Sequence, residues 1–167
     1  MADNQGYRRI LCATDLSSNA DAAFEHAARI AHLSGDSFVT MIHALEKIPP
    51  NAELYVSTLL GFGSLKEFRN KDREQIVRAI RSRIERFCDD VVRQIPECRR
   101  IVDSVIIEEG MPEDLILTWV KKMEADLVVI GAEGHTAFLG TNFGSTTRKV
   151  LKKCRKPVLV VPATTRR

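Results

Sequence analysis

The sequence predicts an α/β fold in which a mostly parallel sheet is covered by helices on both faces. Three observations carry that expectation. Short, β-branched apolar runs recur along the chain, at Ile10 to Ala13, Phe38 to Ala44, Ile101 to Ile107, Leu127 to Ile130 and Val158 to Val161, and each has the length of a buried strand. The stretches between them place apolar residues at helical spacing. Glycine, proline and small polar residues punctuate the junctions. Strands that alternate with helices throughout bring successive strands into parallel register, and ligands of such sheets lie at the carboxyl ends of the strands near the topological switch.

The elements follow in order. The first strand ends at Thr14-Asp15, and a helix over Ser17 to Ser34 carries Ala20, Ala23, Phe24, Ala27, Ala28, Ile30 and Ala31 on one face, with Ser17 or Ser18 as its cap. After the second strand, residues 46–65, with Pro49-Pro50 and Gly61-Phe62-Gly63, are long for a connection between a strand and a helix. They are expected to be an insertion, a flap or a partner surface, with the paired glycines as a hinge. Glu67 to Ile95 reads as one helix with Ile76, Ile80, Ile84, Phe87, Cys88, Val91 and Ile95 as its stripe, ended by Pro96. Pro112 near a first helical position, with Glu113 and Asp114 after it, opens a helix that buries Leu115, Ile116, Trp119, Val120 and Met123. The last helix is expected over Thr146 to Lys153, capped by Ser145, with Val150 and Leu151 as its apolar positions and Lys149, Lys152 and Lys153 complementing its dipole.

A chain of 167 residues suits one compact domain over 1–167, since at this size roughly 70 per cent of the surface is buried on folding. The net charge of +3 is mild. Residues 66–100 hold eleven basic and seven acidic side chains interleaved with the apolar stripe, so a solvated helix face is favoured over nucleic-acid binding. Cys12, Cys88, Cys98 and Cys154 form no C-x-x-C pair, which fits a reducing, cytoplasmic setting. The polar start of the chain and the shortness of every apolar run favour neither secretion nor membrane insertion.

The chemistry concentrates at Gly131-Ala132-Glu133-Gly134, followed nine residues later by Gly144-Ser145. Glycines that leave a buried strand and lead into a helix let backbone N–H groups approach a ligand, and a helix start favours an anion. The bland alternative is that they only permit a turn and close packing. The stretch from Gly140 to Thr146 lacks the lysine of a P-loop, and Gly61-x-Gly63 lacks the third glycine of a dinucleotide fingerprint. Asp15 has two readings. It is a turn residue beside the helix cap, or a carboxylate at the sheet edge that accepts from a ribose or base or holds a Mg²⁺ accompanying phosphates. His135 falls inside the glycine loop and either pairs with a phosphate oxygen or faces solvent, whereas His26, His32 and His43 read as structural imidazoles. No hydrolytic triad, H-E-x-x-H or metal cluster is nominated, so the chain does not read as an enzyme.

Taken together, Ile10-Leu11-Cys12-Ala13-Thr14-Asp15-Leu16-Ser17, Ile42-His43, Gly110-x-Pro112, the pattern G-x-x-G-x9-G-[ST] and the ending Lys156-Pro157-Val158-Leu159-Val160-Val161-Pro162 resemble the universal stress protein family, in its ATP-binding branch. The resemblance implies an open, Rossmann-like sheet of five parallel strands in the order 3-2-1-4-5, and a homodimer through the last strand, Val158 to Val161. It implies an adenine nucleotide, with Ala13, Thr14 and Asp15 beside the adenosine end and the backbone near Val39 at the adenine edge. Ile130, Gly131 and Gly134 would line ribose and phosphate, with His135 nearby, and Gly144, Ser145 and Thr146 would receive phosphates. The function implied is ATP binding in a stress response, with an unknown protein partner. Alternatives are slow ATP hydrolysis and a nucleotide-free interaction module. The latter is raised by a departure from the family pattern, because Ala132 and Glu133 stand where a small hydroxyl residue and a basic one are common.

Overall fold

The computed structural model describes residues 6–45, 73–94, 101–133 and 143–162. The expected flap and hinge at 46–65, the helix positions before Arg73 and at Ile95, and Cys98 lie outside the described residues. Within them the chain runs β1 (Arg9–Ala13), α1 (Ser18–Ser34), β2 (Phe38–Leu45), α2 (Arg73–Gln94), β3 (Val102–Glu109), α3 (Pro112–Lys122), β4 (Leu127–Gly131), α4 (Ser145–Lys153) and β5 (Val158–Val161). The five strands form one sheet in the order β3-β2-β1-β4-β5, parallel at every pairing.

Alternation along the strands divides the core in two. Ile10 and Cys12 of β1, Val39 and Met41 of β2, and Leu127 and Val129 of β4 face α1 and α2. Leu11 and Ala13, Ile42, and Val128 and Ile130 face α3 and α4. The alanines of α1 let that helix lie close against the sheet, with Ala23, Ala27, Ala28 and Ala31 at most 1 % exposed. Phe24 of α1 meets Phe87 of α2 edge to face at 5.4 Å, which locks the two helices of this layer together. The stripe of α2 is buried as expected at Ile80, Ile84, Cys88 and Val91.

The helix ends show why the segments stop where they do. Ser17 caps α1 by accepting the N–H of Ala20 at 3.3 Å. Gly35 ends it with φ 84°, a left-handed conformation open to glycine, and its N–H returns to the His32 carbonyl. Pro112 occupies the first turn of α3, followed by Glu113 and Asp114. Two expectations for the last helix are corrected. Gly144, not Ser145, is its N-cap, and Ser145 is already helical. Leu151 is exposed while Val150 and Thr147 are buried, because the buried face of this short helix runs through positions three apart.

Cys12 and Cys88 are free thiols in the first core layer. Burial pushes the Cys12 thiol up, helped by nearby Cys88, and burial pushes Cys88 up to about 12. Both therefore act as small hydrophobes at neutral pH.

Candidate functional site

The site lies where β1 and β4, neighbours in space, leave the sheet toward opposite layers: β1 leads into α1 and β4 leads toward α4. That is the switch point of an open parallel sheet. Cys12 pairs with Val129 and Ala13 with Ile42, so Thr14 and Asp15 emerge beside the end of β4. Ala13, Thr14, Asp15, Ile130 and Gly131 are thus brought to one edge. The Ile130 side chain, 6 % exposed, belongs to the core beneath α3 and α4, so only its backbone can contribute at that edge.

Val39 is not at this edge. It pairs with Ile10 near the amino-terminal end of β2, is fully buried, and donates its amide to the Ile101 carbonyl at 2.8 Å. In a parallel sheet the carboxyl ends line up, so the part of β2 that can meet a ligand lies at or beyond His43. The backbone near Val39, expected at the adenine edge, therefore lies toward the opposite end of β2. His43 Nδ1 donates to the Thr14 carbonyl at 2.9 Å and Thr14 donates its own N–H to the Ile42 carbonyl at 2.9 Å. The histidine is structural, as expected, but it is structural at the site.

The turn after β1 is held by short-range bonds. Leu16 donates its N–H to Thr14 Oγ1 at 3.1 Å, and Ser17 donates to Asp15 Oδ1 at 3.0 Å. Asp15 is therefore a turn residue beside the cap, which satisfies the first of its two readings and leaves the second compatible with its place. Leu16 has φ 64° and is buried, a left-handed conformation costing of order 1–3 kcal/mol for a residue with a side chain. Arg83 of α2 reaches across to donate from Nη2 to the Leu16 carbonyl at 3.1 Å.

The exit from β4 is fastened to the start of α4. Ala132 donates to the Val161 carbonyl at 2.7 Å, Gly144 donates back to the Ala132 carbonyl at 2.8 Å, and Thr147 Oγ1 donates to the Gly131 carbonyl at 2.8 Å. Thr147 is 3 % exposed. Its role was missed in the sequence because a threonine inside a short helix carries no local signal of a partner sixteen residues back. These bonds fix the helix start against the strand end whatever path the intervening residues take. A glycine N-cap has no side-chain oxygen to offer the first-turn amides, and α4 has no side-chain cap bond. The N–H groups of Ser145, Thr146 and Thr147 have no acceptor within the helix, as in any first turn. Gly144, Ser145 and Thr146 thus stand together at a helix start that suits an anion. Gly134 and His135 lie outside the described residues, and Glu133 is half-buried where the loop begins.

Behind this helix, Lys149 Nζ meets Glu113 Oε1 at 2.5 Å, joining α4 to the first turn of α3. Glu113 is 6 % exposed. The hydrogen bond from Lys149 holds its carboxyl below the usual glutamate range, against the opposing effect of burial. Lys149 was expected to serve the helix dipole, and its partner was not foreseen. No group of three His, Cys, Asp or Glu among the described residues could hold a metal ion, and no described helix is long and apolar enough to cross a membrane.

The fold and this edge define an open α/β domain with an anion-compatible helix start at its switch point. The chain belongs to the universal stress protein family, whose model matches residues 6–162. It is 26 % identical to universal stress protein MJ0577 of Methanocaldococcus jannaschii over 159 residues, covering 93 % of this chain and 94 % of the relative. The solved structure of MJ0577 is similar with a TM-score of 0.69 at 24 % identity, covering 96 % of this chain and 99 % of that one. A universal stress protein solved in complex with cAMP has a TM-score of 0.59 at 20 % identity over 95 % of this chain and 98 % of its own. One from Archaeoglobus fulgidus in complex with dAMP has a TM-score of 0.56 at 21 % identity over 94 % of this chain and 99 % of its own.

Proposed function

We propose that this chain is a single-domain universal stress module that binds ATP or another adenine nucleotide at the carboxyl edge of β1 and β4. The observation that carries the reading is the glycine-capped start of α4, tied to the end of β4 by Gly144 and Thr147 and carrying first-turn amides without a side-chain cap. Phosphates placed there would be neutralised by backbone dipoles. The adenosine end would lie toward Ala13, Thr14 and Asp15, with the end of β2 at His43 and Ala44 beside it in place of Val39. Asp15 is the residue that would hold a Mg²⁺ accompanying the phosphates. The related folds solved with cAMP and dAMP support an adenine nucleotide as the ligand class.

Occupancy would act through contacts with other chains: a cytoplasmic homodimer paired along Val158 to Val161, and a protein partner. β5 is an edge strand of the sheet and its first three residues are only half-buried, and an apolar edge of that kind needs covering. Isothermal titration with ATP and Mg²⁺ tests the central reading. Binding at sub-millimolar ligand supports it, and no heat at millimolar ligand rejects it. Sedimentation of the purified chain tests the dimer. The half-buried Glu133 favours a second reading, in which its charge closes the cradle to anions and the chain works without nucleotide. Glu133→Arg then creates ATP binding that the parent chain lacks. Slow hydrolysis assisted at Asp15 is the remaining variant, and turnover unchanged by Asp15→Ala would remove it.

A further inference from the structure

Among the described residues, two side chains from other elements reach the turn that carries Asp15. His43 does so from the end of β2, and Arg83 from the middle of α2, 67 positions further along the chain. The turn needs such support. It must leave β1, present Asp15 at the sheet edge, bury Leu16 and deliver Ser17 as the cap of α1, and it does this only by placing Leu16 at φ 64°. The local bonds from Thr14 Oγ1 and Asp15 Oδ1 secure the N–H groups of Leu16 and Ser17. The Leu16 carbonyl, whose direction is set by the unfavourable dihedral, is held by the guanidinium. A guanidinium is suited to this because its charge strengthens the bond and its planar fork loses little freedom in making it.

We propose that Arg83 is a positioning residue for the adenosine end of the site, acting through the left-handed Leu16 to aim Asp15; the proposal rests on the nucleotide reading given above. In this arrangement the hydrogen bond from Arg83 to the Leu16 carbonyl links α2 to the site. Release of Arg83 lets Leu16 relax toward ordinary dihedrals, swings the Asp15 carboxylate off the edge and weakens whatever it holds. Acting through the Leu16 carbonyl, Arg83 would have an effect that does not depend on how many phosphates the ligand carries.

The test compares the full chain with Arg83→Met, which keeps the aliphatic stem, and Arg83→Lys, which keeps one charged donor. Amide hydrogen exchange of Leu16 and Ser17, read without nucleotide, is expected to rise about tenfold in Arg83→Met and less in Arg83→Lys. Titration with adenosine, AMP and ATP is expected to show the same loss for all three ligands, about tenfold for one charge-assisted bond. Thermal melts identify a variant that fails to fold, and Arg83→Lys then carries the comparison. Exchange unchanged in Arg83→Met overturns the clamp. A loss that grows from adenosine to ATP and fades with salt also overturns the positioning role, because it makes Arg83 a direct phosphate contact. A parent chain that takes up none of the three ligands refutes the nucleotide reading and the positioning role with it, while exchange still reports separately whether the clamp exists.

Discussion

Lys149→Met should destabilise the protein at neutral pH and lose most of that effect in acid. The pair it breaks joins a glutamate side chain that is 8 % exposed to a lysine side chain that is 47 % exposed, at 2.5 Å. Exposed pairs are worth roughly 0–1 kcal/mol, while stripping one partner from a fully buried pair costs roughly 3–5 kcal/mol. With one partner buried and the other half in water, the expected cost lies between, at about 1–3 kcal/mol. Methionine retains the packing of the lysine stem, so the charge is what changes. The sign of the pH dependence follows from the direction of the shift. Glu113 is held below its ordinary value by Lys149, so its contribution is present above the unfolded glutamate range and is lost as pH falls through the folded value. In Lys149→Met burial, which raises the carboxyl, is opposed only by the backbone hydrogen bond at Glu113 and by Lys153, so the group protonates more readily than in the parent and the variant regains ground on it as pH falls below about 4.5. Urea unfolding at pH 7 and pH 4 measures both values, and Glu113→Gln in the same background should recover most of the neutral-pH loss by removing the stranded charge. A cost below about 0.5 kcal/mol that is equal at the two pH values would refute the reasoning.

Gly144→Asp places a capping carboxylate on the first turn of α4. It should raise stability by a few tenths of a kcal/mol in a thermal melt while weakening ATP by about tenfold or more in titration, since side chain and phosphate compete for the same amides. Thr147→Val removes the bond to the Gly131 carbonyl from a buried position and is expected to cost about 1–2 kcal/mol in chemical denaturation. Glu133→Gln should tighten ATP a few-fold at low salt, with the gain shrinking at high salt and adenosine binding unchanged. Equal gains for ATP and adenosine would show that charge repulsion is not the cause.

The described strands and the buried faces of α1 and α2 were legible from the chain, because they are set by neighbours in sequence; on α3 Ile116 and Val120 are buried as expected, while Leu115, Trp119 and Met123 are half-buried. Ser17 as the cap of α1 and Pro112 at the start of α3 belong to the same class of signal. The last helix marks the boundary of that legibility. Ser145 is the better capping residue by type, yet the helix begins one residue earlier because Gly144 is drawn to the Ala132 carbonyl. That bond joins two segments whose adjacency no local pattern reports. Val39 failed for a related reason: the offset between β2 and its neighbours is a property of the sheet, and only the pairing of Ala13 with Ile42 shows which residues reach the edge.

By itself, then, the sequence determined the order and type of the described elements, most of the residues that fill the two core layers and the family to which the chain belongs, since periodicity and capping act over a few residues. The tertiary structure alone decided that Thr147 binds the end of β4, that Lys149 stands on a buried Glu113, that His43 fastens the turn after β1 and that Arg83 reaches Leu16. Each of these joins groups far apart in the chain. Their meeting depends on the register of the sheet and the placement of helices on its faces, which emerge only when the whole core is packed.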